Sequence, residues 1–231
     1  MVADPHSLAE RAADPMVRSI AQLVQKITAM PWRLGPADRS QSHSAGLSDE
    51  ALYQVVLLSS FFGHLNRIAD AVGVELDYSV VIPIPHAEPT TPPYPRPDRS
   101  EWPALGPQPL SVDLRPSIVA PLAAWRSHAL LREAPLDRRQ RAVIAGAVAE
   151  RLGDAATVQD LHVAPLSPLE EALVTAADEV TLAPWRLGAE TVARLRAAGL
   201  PDDSAIFDAL ATASACAMFS RIQVALSALS R

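Results

Sequence analysis

Several residue types are scarce in this chain. Its 231 residues include one cysteine (Cys216), one lysine (Lys26) and nine glycines, and only 5% of them are aromatic. A single cysteine excludes a disulfide within the chain and favours a reducing compartment, so we expect a cytoplasmic protein. The net charge is −6 and the arginines are scattered. Without a basic stripe, we expect no nucleic-acid partner.

Long apolar runs and metal-binding motifs are also missing. The longest uninterrupted apolar stretches, near 55–58 and 213–219, are far shorter than the roughly 20 residues that cross a membrane, so we expect no membrane partner. Residues 1–13 lack the apolar segment of a secretory signal. No His-x-x-x-His or Cys-x-x-Cys pair occurs, and we expect no metal and no cofactor. The scattered histidines are His6, His43, His86, His128 and His162.

One pentapeptide occurs twice. Pro-Trp-Arg-Leu-Gly stands at 31–35 and again at 184–188, an offset of 153 residues. With one inserted residue, Arg67 in the first copy corresponds to Arg221 in the second. Intermediate matches pair Gly46 with Gly199 and Asp49 with Asp202. Similarity at a fixed offset predicts one supersecondary unit used twice. In both copies we interpret the Trp-Arg pair as a structural corner at a helix end.

Apolar spacing of three and four residues predicts helices along most of the chain. The clearest is a long helix that Ser48 caps at its start and Gly73 ends, after about residue 72. A second helix is predicted from Arg138 to Leu152, closed by Gly153. No segment shows sustained strand alternation. The sequence therefore predicts an all-α fold.

Composition divides the chain into four parts. We expect an N-terminal lead-in over 1–16, a first, partial helical repeat over 17–78, a connector over 79–115 and a second, more complete repeat over 116–231. Ten prolines lie between 83 and 109, which forbids helix or central strand there. The connector is either an ordered, extended segment along the surface or a disordered linker.

The repeat resembles a known superfamily. The resemblance rests on two stretches. One is Leu-Arg-Ala-Ala-Gly-Leu at 195–200, which is followed by an acidic N-cap and a long helix. The other is the first-copy equivalent at 45–51, which continues into Asn-Arg-Ile-Ala at 66–69. They resemble the alkylhydroperoxidase D-like, or carboxymuconolactone decarboxylase, superfamily, in its peroxidase-related branch. The resemblance covers roughly 17–78 and 115–231. It implies a two-repeat helical fold that assembles into trimers, hexamers or similar rings, and thus a homo-oligomer.

The redox residues of that superfamily are missing here. Its peroxidases carry a glutamate, then a Cys-x-x-Cys and a histidine, because a low-pKa thiolate must attack the peroxide. The corresponding positions in this chain hold Ala142, Asp154, Thr157 and Leu161, with His162 one residue late. Thiol peroxidase chemistry of the usual type is therefore not expected. Cys216, among small residues in a predicted helix, is interpreted as a buried inert thiol.

His64 and Arg67 are the candidate catalytic residues. On a helix, His64, Arg67 and Ile68 share one face, so a proton-transferring imidazole and an anion-binding guanidinium could serve one pocket. The alternative is a packed histidine, with Arg67 paired to an acid at a helix contact. Arg221 recurs without a matching histidine, which favours an architectural role for the arginine.

These observations predict a superfamily member without the redox cysteines that binds a small molecule. It would act as a binding protein or as a cofactor-free proton-transfer protein, of lyase or isomerase type. One alternative is a non-catalytic scaffold or pseudoenzyme partner that uses the proline connector for docking. The other is a residual peroxidase that uses Cys216.

Overall fold

The computed structural model describes residues 13–74, 90–103, 116–160, 165–200 and 202–230. Within these ranges the regular structure is entirely helical, which confirms the predicted all-α class. The nine α-helices are α1 (Pro15–Ala29), α2 (Pro36–Ser44), α3 (Asp49–Val72), α4 (Pro116–Leu131), α5 (Arg138–Leu152), α6 (Ala155–Asp160), α7 (Pro168–Leu182), α8 (Ala189–Ala197) and α9 (Asp203–Leu229). Short 3-10 turns occur at Pro31–Arg33, Arg99–Glu101 and Pro184–Arg186. Most of the predicted lead-in, 1–12, lies outside the described residues.

Capping residues set the ends of the central helices. The Ser48 hydroxyl accepts a hydrogen bond from the backbone N–H of Ala51 at 3.2 Å, which satisfies a donor that the first turn of α3 leaves unpaired. At the other end Gly73 has φ +65°, a left-handed conformation that other residues adopt only with strain. In α5, Asp137 caps the first turn with its side chain, and Gly153 adopts the left-handed conformation after the last turn. The predicted limits of both helices are thus observed.

Two groups of elements have the same order and nearly the same lengths. We call α1, α2 and α3 the first unit, and α7, α8 and α9 the second unit. The opening helices α1 and α7 have 15 residues each, and α2 and α8 have nine each. A Pro-Trp-Arg turn follows the opening helix in both units, and the long third helices have 24 and 27 residues.

The two long helices pack against each other, and each carries a buried arginine that reaches into the other unit. Arg67 on α3 donates from Nε to the carbonyl of Val180 on α7 at 3.1 Å. Arg221 on α9 donates from Nε to the carbonyl of Thr28 on α1 at 3.1 Å, and from Nη2 to Thr181. Burial lowers the pKa of both guanidinium groups. Their acceptors lie in the last turns of α1 and α7, where the helix dipole favours a cation.

The apolar core has two parts, and α9 belongs to both. One part joins α5, α7 and α9, and it includes Trp32 from the first unit. The other joins α1 and α3 to the C-terminal end of α9, where Ala225 and Leu229 are buried against Leu23 and Leu52. Because one helix completes both clusters, neither unit closes its core alone.

The described part of the connector, 90–103, lies against the second unit. The Tyr94 N–H donates to the carbonyl of Leu182 at 2.8 Å. Trp185 Nε1 and Arg186 Nη2 both donate to the carbonyl of Thr91, at 3.4 and 3.0 Å. The Tyr94 ring also meets the Trp185 ring edge-on. In the second unit, the predicted Trp-Arg corner therefore contacts the proline-rich segment 90–103. The rest of the connector, 79–89 and 104–115, lies outside the described residues.

One helix in the described part of the chain, α9, is long and apolar enough to cross a membrane by length and composition. Of its most apolar window, 78% is buried inside the protein. A core helix has the same two properties, so the observation does not by itself indicate a membrane span.

The arginine exchange makes a testable prediction. Arg221→Met leaves the carbonyls of Thr28, Thr181 and Ala217 without these donors, and an unsatisfied buried polar group costs about 1–3 kcal/mol. We expect urea unfolding to show a loss of about 3 kcal/mol. The control is Arg99→Met, since the Arg99 side chain is 77% exposed and its partners, Glu150 and the Trp102 ring, are contacted at the surface. A loss below about 1 kcal/mol is expected there, and equal losses would contradict a structural role for the exchange.

Glu170 gives a pH-dependent prediction. Arg139 and the Ser167 N–H lower the pKa of this carboxyl from 4.5 to about 2. Because the folded pKa is depressed, the stabilisation is complete above the unfolded value of 4.5 and is lost as pH falls towards about 2. We expect Glu170→Gln to lower the free energy of unfolding by about 1 kcal/mol at pH 7, and the difference from wild type to shrink by pH 3. The exposed neighbour Glu171, changed to Gln, should show neither effect in the same urea titrations.

Candidate functional site

A cavity of about 350 Å³ lies between α3, α4 and α9. Its size is near the lower end of the range for small-molecule sites, about 300–1,000 Å³. The walls combine apolar surface with a small set of polar groups. The lining residues are His64, Ile68, Trp125, His128, Ala129, Arg132, Pro135, Ser204, Phe207, Asp208, Ala211, Thr212 and Ala215.

His64 is held in one tautomer by Ser214 on the facing helix α9. The Ser214 hydroxyl donates its one proton to the backbone carbonyl of His64 at 3.0 Å. The same oxygen lies 2.9 Å from His64 Nδ1, and with its proton already used it can only accept there. Both contacts can be hydrogen bonds only if Nδ1 carries the ring proton, and we infer this tautomer. Nε2 of the neutral ring is left with a lone pair, which can accept a proton.

The surroundings of His64 keep the imidazole neutral. The residue is 5% exposed, and Trp125 packs edge-on to its ring with centroids 5.0 Å apart. Burial lowers the pKa of His64 below its usual value, the Ser214 contact partly offsets this, and the Arg67 charge lowers the pKa further. The lone pair on Nε2 is therefore available at neutral pH. A buried neutral histidine beside a cavity is a suitable proton acceptor.

The corresponding positions in the other unit lack this pair. With the offset that matches Arg67 to Arg221, His64 corresponds to Met218 and Ser214 to Ser60. Met218 offers no ring nitrogen, and the buried Ser60 hydroxyl has no hydrogen-bond partner within the described ranges. The histidine–serine pair therefore occurs on one side of the α3–α9 contact only.

A charged cluster includes two residues of the cavity lining, Asp208 and Arg132. The Asp208 carboxylate on α9 accepts hydrogen bonds from Arg132, the residue that follows α4, and from Arg141 on α5, which contacts both carboxylate oxygens. The Leu136 N–H also donates to it at 3.3 Å. Arg141 is fully buried and donates to Thr212 Oγ1 at 2.9 Å. Two cations thus face one anion.

The structure separates the two predicted catalytic residues. His64 lines the cavity together with Ile68, but Arg67 is absent from its lining. The Arg67 guanidinium instead donates to the carbonyls of Val180 and Gly63, at 3.1 and 2.8 Å. The expected pairing of Arg67 with an acid at a helix contact is not what is observed either, since these partners are backbone groups. The arginine that faces the cavity is Arg132.

The positions that match the peroxidase motif serve local structure. Asp154 is buried, accepts from the Ser220 hydroxyl at 2.8 Å and caps α6 by accepting from the Thr157 N–H at 3.2 Å. Cys216 is also buried, and burial raises its pKa to about 12, so the thiol stays protonated at neutral pH. Leu161 lies outside the described residues.

No group of three histidine, cysteine, aspartate or glutamate residues that could hold a metal ion is found in the described ranges. His43 contacts Asp49 at the protein surface. His128 lines the same cavity as His64. His6, His86 and His162 fall in segments that the structure does not describe.

Sequence reasoning missed most of the polar lining. Trp125 and His128 are three residues apart on one face of α4, and Arg132 follows four residues later, just beyond the end of that helix. That spacing could have revealed a mixed polar and apolar helix face. Nothing in the sequence pairs Arg132 or Arg141 with Asp208, because the partners are 76 and 67 positions apart and lie on different helices.

Comparison of the chain with protein-family models, with curated proteins and with solved structures gives no match.

The tautomer of His64 can be measured directly. In wild-type protein we expect ¹⁵N NMR of the imidazole to show the Nδ1-protonated form, and the ring to titrate below pH 6.5 because burial favours the neutral form. Ser214→Ala removes the acceptor of the Nδ1 proton, so the preference for that tautomer should be lost. Ser60→Ala is the matched control, since its buried hydroxyl has no partner to lose. An unchanged tautomer in Ser214→Ala would contradict the assignment.

Proposed function

We propose that the chain binds a small organic molecule in the cavity between α3, α4 and α9, and that His64 Nε2 accepts a proton from it. The reaction would be a cofactor-free proton transfer of lyase or isomerase type. The observation that carries this proposal is the imidazole, which Ser214 holds in one tautomer with its basic nitrogen unprotonated beside a cavity.

The rest of the cavity supports the same proposal. His128 on α4 contributes a second titratable side chain to the lining, and the acid–base chemistry of an isomerase uses two such groups. Trp125, Ile68 and Phe207 supply apolar surface that excludes water from the reacting atoms. In this proposal His64 is the proton acceptor, His128 is a second group that can carry a proton, and the three apolar side chains form the binding surface.

We also propose that the two units are copies of one element and that the fold is the two-repeat, alkylhydroperoxidase D-like type. Matched helix lengths, the Pro-Trp-Arg turns and the exchanged arginines support the repeat. A homo-oligomer fits the exposed apolar side chains of α3, since Leu58 and Phe62 are 57% and 58% exposed.

A non-catalytic scaffold is the second candidate function. The same apolar face of α3 favours it, because a docking surface needs no reaction at His64. A residual peroxidase at Cys216 is weakly supported, because a buried thiol with a pKa of about 12 provides almost no nucleophilic thiolate.

The first experiment is native mass spectrometry of freshly purified protein, repeated under denaturing conditions. It gives the number of subunits, and we expect an additional mass that leaves on denaturation. The released molecule is then incubated in D₂O with wild-type protein, and proton NMR follows the exchange of its C–H groups. We expect exchange to fall by about 10²–10⁴-fold in His64→Gln.

The matched control is His43→Gln, a change to an exposed histidine that contacts Asp49 outside the cavity. Its exchange rate should equal that of wild type. A wild-type protein that carries no molecule, or that carries one and catalyses no exchange of its C–H groups, would contradict the proposed function and favour the scaffold.

A further inference from the structure

One of the two arginines that contact Asp208 is not required to balance the charge of this carboxylate. Asp208 accepts from both Arg132 and Arg141, so the three groups together carry one net positive charge. The other titratable groups of the lining, His64 and His128, supply no negative charge. A partly enclosed cavity with surplus positive charge favours an anionic ligand.

Arg141 is fixed in place. Its side chain is 0% exposed, and besides Asp208 it donates to Thr212 Oγ1 at 2.9 Å and to the carbonyl of Ala129 at 3.1 Å. Its Nε donates to the carbonyl of Leu136 at 3.2 Å. These bonds hold the guanidinium against Asp208 whatever the cavity contains.

Arg132 is held much less firmly. Its side chain is 36% exposed, and within the described residues its Asp208 bond comes from Nη2 alone. The Nε of Arg132 is buried and has no hydrogen-bond partner among the residues that the structure describes. If Arg132 turned away, Asp208 would keep Arg141 and the Leu136 N–H. The carboxylate would therefore not be left as an unpaired buried charge.

We propose that the cavity takes an organic carboxylate with a flat apolar body, and that Arg132 binds the carboxylate of this ligand. This inference rests on the proposed function, because it concerns the same cavity. The planar guanidinium presents Nε–H and Nη–H donors in the fork that matches a carboxylate. Trp125, Ile68 and Phe207 line the same space and contact the apolar body. His64 lies at the other end of the ligand.

The test uses two probes that differ in charge but hardly in shape, benzoate and benzamide, with isothermal titration calorimetry. We expect wild-type protein to bind benzoate at least tenfold more tightly than benzamide. Arg132→Gln should lower the benzoate affinity to that of benzamide, and leave benzamide binding within about twofold of wild type. His64→Gln should keep the preference for benzoate.

The matched control is Arg126→Gln, because Arg126 is an exposed arginine on the same helix that does not line the cavity. It should bind both probes as wild type does. Equal wild-type affinities for benzoate and benzamide would overturn the inference and leave the proposed function standing. An equal effect of Arg126→Gln and Arg132→Gln would also overturn it, since the preference would then reflect overall charge. Binding of neither probe would overturn it as well, and the deuterium exchange experiment would still judge the proposed function independently.

Discussion

The exchange of two buried arginines between the long helices is the constraint on which the rest of the structure depends. Arg67 and Arg221 lie inside the protein, where an unpaired cation is expensive. Each one is stabilised by carbonyls in the last turn of an opening helix, including that of the opposite unit. This arrangement fixes how α3 and α9 face each other. The contact of His64 on α3 with Ser214 on α9 requires that same alignment.

The contact between α3 and α9 therefore involves corresponding positions of the two units, but the side chains at these positions differ in chemistry. One pair of positions has the His64 imidazole and the Ser214 hydroxyl. The corresponding pair has the Met218 thioether and the Ser60 hydroxyl, which has no hydrogen-bond partner within the described residues. The additional helices α4 and α5 lie on the side of the second unit. Trp125 of α4 and the following Arg132 line the cavity, and Arg141 of α5 pairs with Asp208 of the lining. The two units have the same element order, and α4 adds Trp125 and His128 to the cavity that His64 lines.

The local features of this fold could be predicted from sequence, and the long-range ones could not. Ser48 and Gly73 predicted the ends of α3 because caps act through neighbouring backbone groups. His64 and Arg67 were expected at one pocket, but only His64 lines the cavity, since helical spacing gives a shared face and not the partner across it. The cluster at Asp208 joins three helices through arginines that look like ordinary surface cations in the sequence. Such pairs become visible only when the packing is known.

The sharing of α9 by both core clusters also has a consequence for synthesis on the ribosome. The residues of the first unit that need α9, such as Leu23 and Leu52, leave the ribosome long before Ala225 and Leu229 do. During that interval their apolar surface has no partner to cover it, and exposed surface of this kind favours aggregation. The nascent first unit therefore completes its core only after α9 has been translated.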